Sequence, residues 1–410
     1  MKKFNIPNHY QSNIIEEIRF VREKNDPRKK DISPSKIRLG EIEFYIGRHF
    51  GFCYGVKNAI EICYKALRNN PNKKIYLLSQ MIHNQVVNQD LLDNGISFIM
   101  NTEGTQLISW DKIKQNDIVI IPAFGVSLEI LEILKKKNIN TEEYNTTCPF
   151  VAKVWNRSEE LAQQGYTNII HGKFNHEETR STFSRTRKHG HSLIVENLSD
   201  VKKLCLYIEN KIDRKNFQID FKNKFTKGFN LDKHLIKIGV VNQTTMLASE
   251  TKEIISILTE SYIKKYGNKN ISDHIANTRD TLCYATNENQ ESTIKLLEIQ
   301  ADIAIVAGGY NSSNTSHLAE LAKNKLRTFF INSSKKISLT NSINHFDLKS
   351  QKEIISSNFI PNKKCKIILI SGASCPDLII EEIMLKIIKI YNYEIDIEQS
   401  LNHFKHQYEN

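Results

Sequence analysis

The chain has 410 residues, 40% hydrophobic and 25% charged, which is enough for two or three domains that each bury a core. No apolar run is long enough to cross a bilayer. The start, MKKFNIPNHYQSNIIEEIRF, has acidic Glu16 and Glu17 and no continuous apolar stretch, so neither a membrane span nor a leader is expected and the protein is expected to be cytoplasmic. The formal net charge of +11 comes from scattered lysines and not from an aromatic-interleaved stripe, so no nucleic-acid partner is expected. A solvated basic surface and attraction of an anionic ligand both remain open.

In chain order, residues 1–40 read as a polar N-terminal extension or partner-facing arm, with the turn-prone, basic NDPRKKDISPSK near its end. After it, KIYLLSQ, DIVIIPA, TNIIHG, LIKIGVVNQ, DIAIVAGG, RTFFINS and KIILISG are short β-branched runs that predict buried strands. Helices are predicted at Val56–Leu67, Val151–Gln163, Ser249–Tyr266, Glu291–Glu298, Leu318–Lys325 and Leu378–Tyr391. This alternation predicts an α/β fold with largely parallel sheets. Residues 201–233 break the rhythm as a polar, Lys/Asn-rich insertion on a middle lobe, and 393–410 form a C-terminal tail.

Seven cysteines in a long chain without a leader do not suggest a disulfide scaffold. Three of them recur in one context: in FGFCYGVKNAI, TTCPFVAKVW and DTLCYATNENQ, Cys53, Cys148 and Cys283 each stand just before a sequence able to start a helix. There the free N–H groups and the macrodipole favour a thiolate, which makes these cysteines good soft-metal ligands. Pro149 suits a first helical position. Gly51 and Gly55 would let backbone approach a bulky group. The chain has no CxxC, so on spacing alone the three are either isolated thiols or ligands of one shared cluster.

Polar words fall where strands end: Ser79–Asn84, His171–Lys173 with Asn175–Thr179, Asn242–Thr245, Asn311–Asn314 and Ser371–Ser374. Ligands bind at such carboxyl ends in open α/β sheets, and a set rich in donors and poor in carboxylates suits a diphosphate. Each word also has a structural reading. Ser312 and its neighbours are plausible helix caps, His176 a satisfied core histidine and Glu178 a solvated helix-start acid.

Together GFCYGV, MIHN, TTCPFVAKVW, HGKFNHEET, NQTT, DTLCYAT, NSSN and SGASCPD resemble, in this order from Ile46 to Asp377, the signature of the hydroxymethylbutenyl diphosphate reductases. The resemblance implies a trefoil of three pseudo-equivalent α/β lobes around a central cavity, here 41–148, 149–282 and 283–392. It implies one [4Fe–4S] cluster per chain, held by Cys53, Cys148 and Cys283, with one iron open to a substrate hydroxyl. His83, His176, Ser312, Ser313, Asn314 and Ser374 would hold the diphosphate or orient the substrate, and Glu178 and Thr244 would form the proton relay. The implied reaction consumes two electrons and two protons, expels water from an allylic diphosphate, and yields isopentenyl and dimethylallyl diphosphates. The implied electron donor is a ferredoxin or flavodoxin.

Two positions depart from many members: Phe124 stands in place of a histidine, and Asn289 in place of an arginine. A plant- and cyanobacterial-like branch also carries phenylalanine at this position, is longer at the N-terminus and has a similar insertion before LIKIGVVNQTTM. Cys63, Cys205, Cys365 and Cys375 are expected to bind no cluster. Three other classes compete with this reading: a quinolinate synthase-like dehydratase with the same open iron, a non-catalytic metal- or nucleic-acid-binding protein, and a nicotinamide enzyme. The last is disfavoured because no GxGxxG opens a helix after a strand.

Overall fold

The computed structural model describes residues 4–277, 281–361 and 364–408. The chain forms two compact units. One comprises Met1–Glu61, Ile82–Leu91 and Tyr284–Asn410, and the other Ile62–Met81 and Leu92–Cys283.

The first unit is built on a five-stranded sheet ordered Ser35–Leu39, Ile42–Ile46, Cys365–Ser371, Ile303–Ala307 and Thr328–Ile331. Its first pair is antiparallel, with Ile37 opposite Phe44, and the remaining pairings are parallel, with Ile367 opposite both Phe44 and Ile303. Ile303–Ala307 is buried throughout, as a parallel strand covered on both faces must be, which is why it reads as an unbroken apolar run. Ile14, Ile18, Phe44, Ile367 and Ile383 pack on one face, and Ala304, Val306, Ile368 and Leu318 on the other. Three short antiparallel strands, Ile337–Ser338, Ser342–Asp347 and Lys352–Ser357, form a small second sheet that the sequence reading did not anticipate.

The reading of residues 1–40 as an arm needs correction. A helix runs from Asn13 to Asn25, capped by Ser12 accepting from the Ile15 N–H, and Ile14, Ile15, Ile18 and Val21 are buried in the core of the first unit. Burying each such side chain contributes about 1.5–3 kcal/mol, far more than a free arm would forgo. Ser35–Leu39 then pairs with Ile42–Ile46, so the hairpin crosses residue 40. The tail also packs, with a helix at Ile397–His406 that buries Phe404.

The second unit holds two three-stranded parallel sheets. One is ordered Ile96–Phe98, Ile75–Leu77, Ile118–Ile120, and the other Ser192–Val195, Thr167–His171, Ile238–Asn242. The segment 201–233, expected as a polar insertion, carries part of an apolar core. Val201, Leu204, Tyr207 and Ile208 line the buried face of the helix Leu198–Ile208. The Phe217 ring packs against those of Phe221, Phe225 and Phe229 at 5.1, 5.2 and 5.7 Å, Phe225 lies 5.8 Å from Phe229, and Tyr207 meets Phe217 edge-on at 5.2 Å. Lys222, Asn223 and Lys227 between these aromatics are exposed and mask their four-residue spacing.

The α/β class and the parallel sheets thus agree with the sequence expectation. Four of the six predicted helices lie within about three residues of those observed, while the one predicted from Leu318 begins five residues earlier, at Ser313, and the one predicted from Glu291 seven residues earlier, at Tyr284. Among the described residues, no helix is long and apolar enough to cross a membrane.

Candidate active site

In the first unit, Cys53 directly precedes the helix Tyr54–Asn69. Its N–H donates to the Ala373 carbonyl at 3.1 Å, tying it to the loop after Cys365–Ser371. Burial pushes its thiol pKa up, while the N–H groups of Val56 and Gly55 at the helix start oppose that shift by hydrogen-bonding the sulfur.

Ser312 caps the helix Ser313–Lys323, accepting from the Thr315 N–H at 3.3 Å and the Thr315 hydroxyl at 3.0 Å. The capping reading of this word therefore holds for Ser312. The next two residues differ: Ser313 Oγ and Asn314 Nδ2 are buried and have no hydrogen-bond partner among the described residues. Leaving such groups unsatisfied costs about 1–3 kcal/mol each, a cost that an oxygen-rich ligand at this helix N-terminus would remove. Asn314 Oδ1 accepts from the Ala373 N–H at 2.9 Å and from Asn289 Nδ2 at 3.4 Å, which fixes the amide with its NH2 turned away from both. Asn289, where an arginine is common, therefore orients Asn314.

The same loop carries Ser374, whose hydroxyl donates to the His83 carbonyl at 3.3 Å. His83 Nδ1 lies 3.1 Å from Asn311 Nδ2. An amide nitrogen can only donate, so Nδ1 is the acceptor and Nε2 carries the proton. Gly309 is required here, because a side chain would collide with the His83 carbonyl. The fold thus brings His83, Ser313, Asn314 and Ser374 into one hydrogen-bonded neighbourhood. Asn311, present in the NSSN word but not chosen from it, sets the tautomer of His83.

The second unit gathers the other set. Cys148 is the N-cap of the helix Pro149–Gln163, with Pro149 at its first position, and its N–H donates to the Ala123 carbonyl at 2.9 Å. The adjacent Phe124 meets His176 edge-on, with centroids 5.3 Å apart. Where a histidine would offer a donor, this chain packs an aromatic edge against the imidazole. His176 caps the helix Glu177–His189, its Nδ1 accepting from the Glu178 N–H at 3.1 Å.

Glu178 is fully buried. Thr244 donates to it twice, from its N–H at 2.6 Å and its hydroxyl at 2.9 Å. Burial dominates those bonds and raises the Glu178 pKa to about 7. The reading of Glu178 as a solvated acid is thereby excluded. The Thr244 carbonyl accepts from the Cys283 N–H at 3.2 Å, so one threonine latches both the carboxyl and the third candidate thiol. Gln243 braces this corner, accepting from the Lys173 N–H and the Thr179 hydroxyl and donating to Thr245 at 2.7 Å.

Of the seven cysteines, Cys53, Cys148 and Cys283 are partly exposed, and the other four are buried. Burial pushes the thiols of Cys63 and Cys375 far up and that of Cys365 up to about 12, which leaves them poor thiolates. Each of the three partly exposed thiols stands at a helix start, where free N–H groups favour a thiolate.

The LytB protein family matches residues 45–388. The 4-hydroxy-3-methylbut-2-enyl diphosphate reductase of Gloeothece citriformis (strain PCC 7424) is 37% identical over 382 residues, 93% of this chain and 90% of that protein. The same enzyme of Prochlorococcus marinus (strain MIT 9515) is 38% identical over 383 residues, 93% of this chain and 91% of that one. Among solved structures, (E)-4-hydroxy-3-methyl-but-2-enyl diphosphate reductase, the terminal enzyme of the non-mevalonate pathway, aligns with a TM-score of 0.51 and 26% identity, over 83% of this chain and 97% of that one. The Plasmodium falciparum reductase shares the fold, with a TM-score of 0.61 at 24% identity, over 91% of this chain and 99% of that one.

Proposed function

The chain belongs to the LytB protein family, and on that premise we propose how its residues carry out the family's reaction, the reduction of 4-hydroxy-3-methylbut-2-enyl diphosphate. The substrate loses its hydroxyl as water, takes up two electrons and two protons, and becomes isopentenyl or dimethylallyl diphosphate. The observation that carries the mechanism is the buried carboxyl of Glu178, clamped by Thr244 and holding its proton up to about pH 7.

Cys53, Cys148 and Cys283 would hold one [4Fe–4S] cluster per chain. When bound, this group supplies electrons and a Lewis-acidic iron that lacks a protein ligand. His83 through Nε2, His176, Ser312, Ser313, Asn314 and Ser374 bind and orient the diphosphate end. The Ser313 hydroxyl and the Asn314 NH2, without partners among the described residues, support this assignment, since both gain acceptors when phosphate oxygens arrive.

Glu178 is the proton donor, and its charged form is disfavoured further by a neighbouring diphosphate. Thr244 orients the carboxyl and completes the relay. Electrons come from a small ferredoxin- or flavodoxin-type carrier. All seven cysteines are free of disulfides, which supports a reducing compartment, taken here as the cytoplasm.

The test is purification without oxygen, iron and sulfide analysis, and assay with a chemical reductant beside Cys148→Ser. About four irons and four sulfides per chain, with both products formed, support the reading. A cluster without turnover favours a dehydratase, and no cluster refutes both.

A further inference from the structure

Arg19 lies on the N-terminal helix, outside the 45–388 span of the family match. Its guanidinium grips the Asp377 carboxylate with both nitrogens, one at 2.8 Å, and the same Nη2 donates to the Phe50 carbonyl at 2.9 Å. The guanidinium also stacks over the Phe50 ring, 4.5 Å from its centroid. Asp377 opens the helix Asp377–Ile390 and ends the connection that carries Ser374, and Phe50 stands three residues before Cys53.

The two strands of chain joined by this arginine are bonded to each other further in. Gly51 N–H donates to Ser371 Oγ at 3.0 Å, and Cys53 N–H to the Ala373 carbonyl. Gly51 has φ +73°, and a side chain there would strike Asp377 and Arg19. Its glycine is required by this clamp as well as by the turn.

We propose that Arg19 is a positioning residue for the Cys53 turn: the N-terminal helix holds that thiol, and with it the Ser374 loop, through the Arg19–Asp377–Phe50 clamp. A planar fork that binds carboxylate and carbonyl at once suits the task, and a lysine could satisfy only part of it. The proposal deepens the reading of Cys53 as a cluster ligand and rests on it for its consequence in catalysis.

The test alkylates the full-length chain with iodoacetamide before cluster loading and follows each cysteine by peptide mass. In Arg19→Ala, Cys53 should react about tenfold faster, the scale of losing one charge-assisted hydrogen bond. Cys148 and Cys283 should keep their rates, and buried Cys365 and Cys375 should stay silent. After loading, the variant should lose its cluster in air faster than the parent, with an altered electron paramagnetic resonance signal of the reduced state. A Cys53 rate equal to the parent's overturns the proposal. Should Arg19→Ala also unmask Cys375, Asp377→Asn, which cuts the clamp from the other side, decides by the same Cys53 criterion. A parent chain that takes up no cluster refutes the ligand reading, while the alkylation rates still decide the role of Arg19.

Discussion

Glu178→Gln is the sharpest single perturbation. Raising the carboxyl from 4.5 to about 7 corresponds to a preference of about 3 kcal/mol for the neutral form. An ordinary glutamate at pH 7 carries a proton in about one molecule in 300, whereas Glu178 carries it in about half. Glutamine keeps the shape, and its oxygen can still accept from the Thr244 N–H, but it has no proton to give. The variant should retain iron and sulfide at the parent level while kcat falls about 10²–10⁴-fold, the usual worth of a general acid.

The same substitution changes stability with a definite sign. Below pH 4.5 the Glu178 carboxyl is neutral in both the folded and the unfolded chain. As pH rises from there to about 7, the unfolded chain ionises while the folded one keeps its proton, so the parent loses stability that the variant does not lose. The difference in unfolding free energy, read from urea titrations of the cluster-free chains, should grow in favour of Glu178→Gln by about 3 kcal/mol over that interval. A difference independent of pH, or turnover within a few-fold of the parent, would refute the assignment of a buried, proton-carrying Glu178.

Thr244→Val removes the hydroxyl donor to Glu178 but leaves the backbone one, so the carboxyl pKa should move above about 7; a proton-linked infrared titration of the carboxyl band checks the direction. Cys148→Ser should abolish cluster uptake while Cys63→Ser, at a fully buried position, should not, as read from iron per chain. Phe217→Ala should cost about 3–5 kcal/mol by opening the aromatic cluster of the insertion, seen as a lower Tm with cluster content unchanged.

How much of this was legible varies from element to element. Ile303–Ala307 and Thr167–His171 announced themselves because strands buried on both faces must be apolar throughout. The helix Glu177–His189 did not: the residues it buries include Thr179, Ser181, Thr182, Ser184 and Thr186, so its inward stripe is made of hydroxyls and carries no hydrophobic period. Lys352–Ser357 was missed because nearly every residue in it is exposed. In the first forty residues the apolar stripe Ile14, Ile18, Val21 was present but outweighed by the charges around it.

The place of the three cysteines before helices was readable, as was Ser312 from its cap pattern. The burial of Glu178 was not, since spacing cannot tell a solvated helix-start acid from one sealed under a threonine 66 residues away. The pairing of Arg19 with Asp377, 358 residues apart, leaves no mark on local sequence at all.

The most direct test of the central claim is to run the reaction without oxygen in heavy water, with a chemical reductant, and weigh the products. The account predicts isopentenyl and dimethylallyl diphosphates that have lost the hydroxyl oxygen and gained one solvent-derived deuterium on carbon. Recovery of unreduced substrate, or of any product that keeps the oxygen, from a protein carrying its full cluster would contradict it.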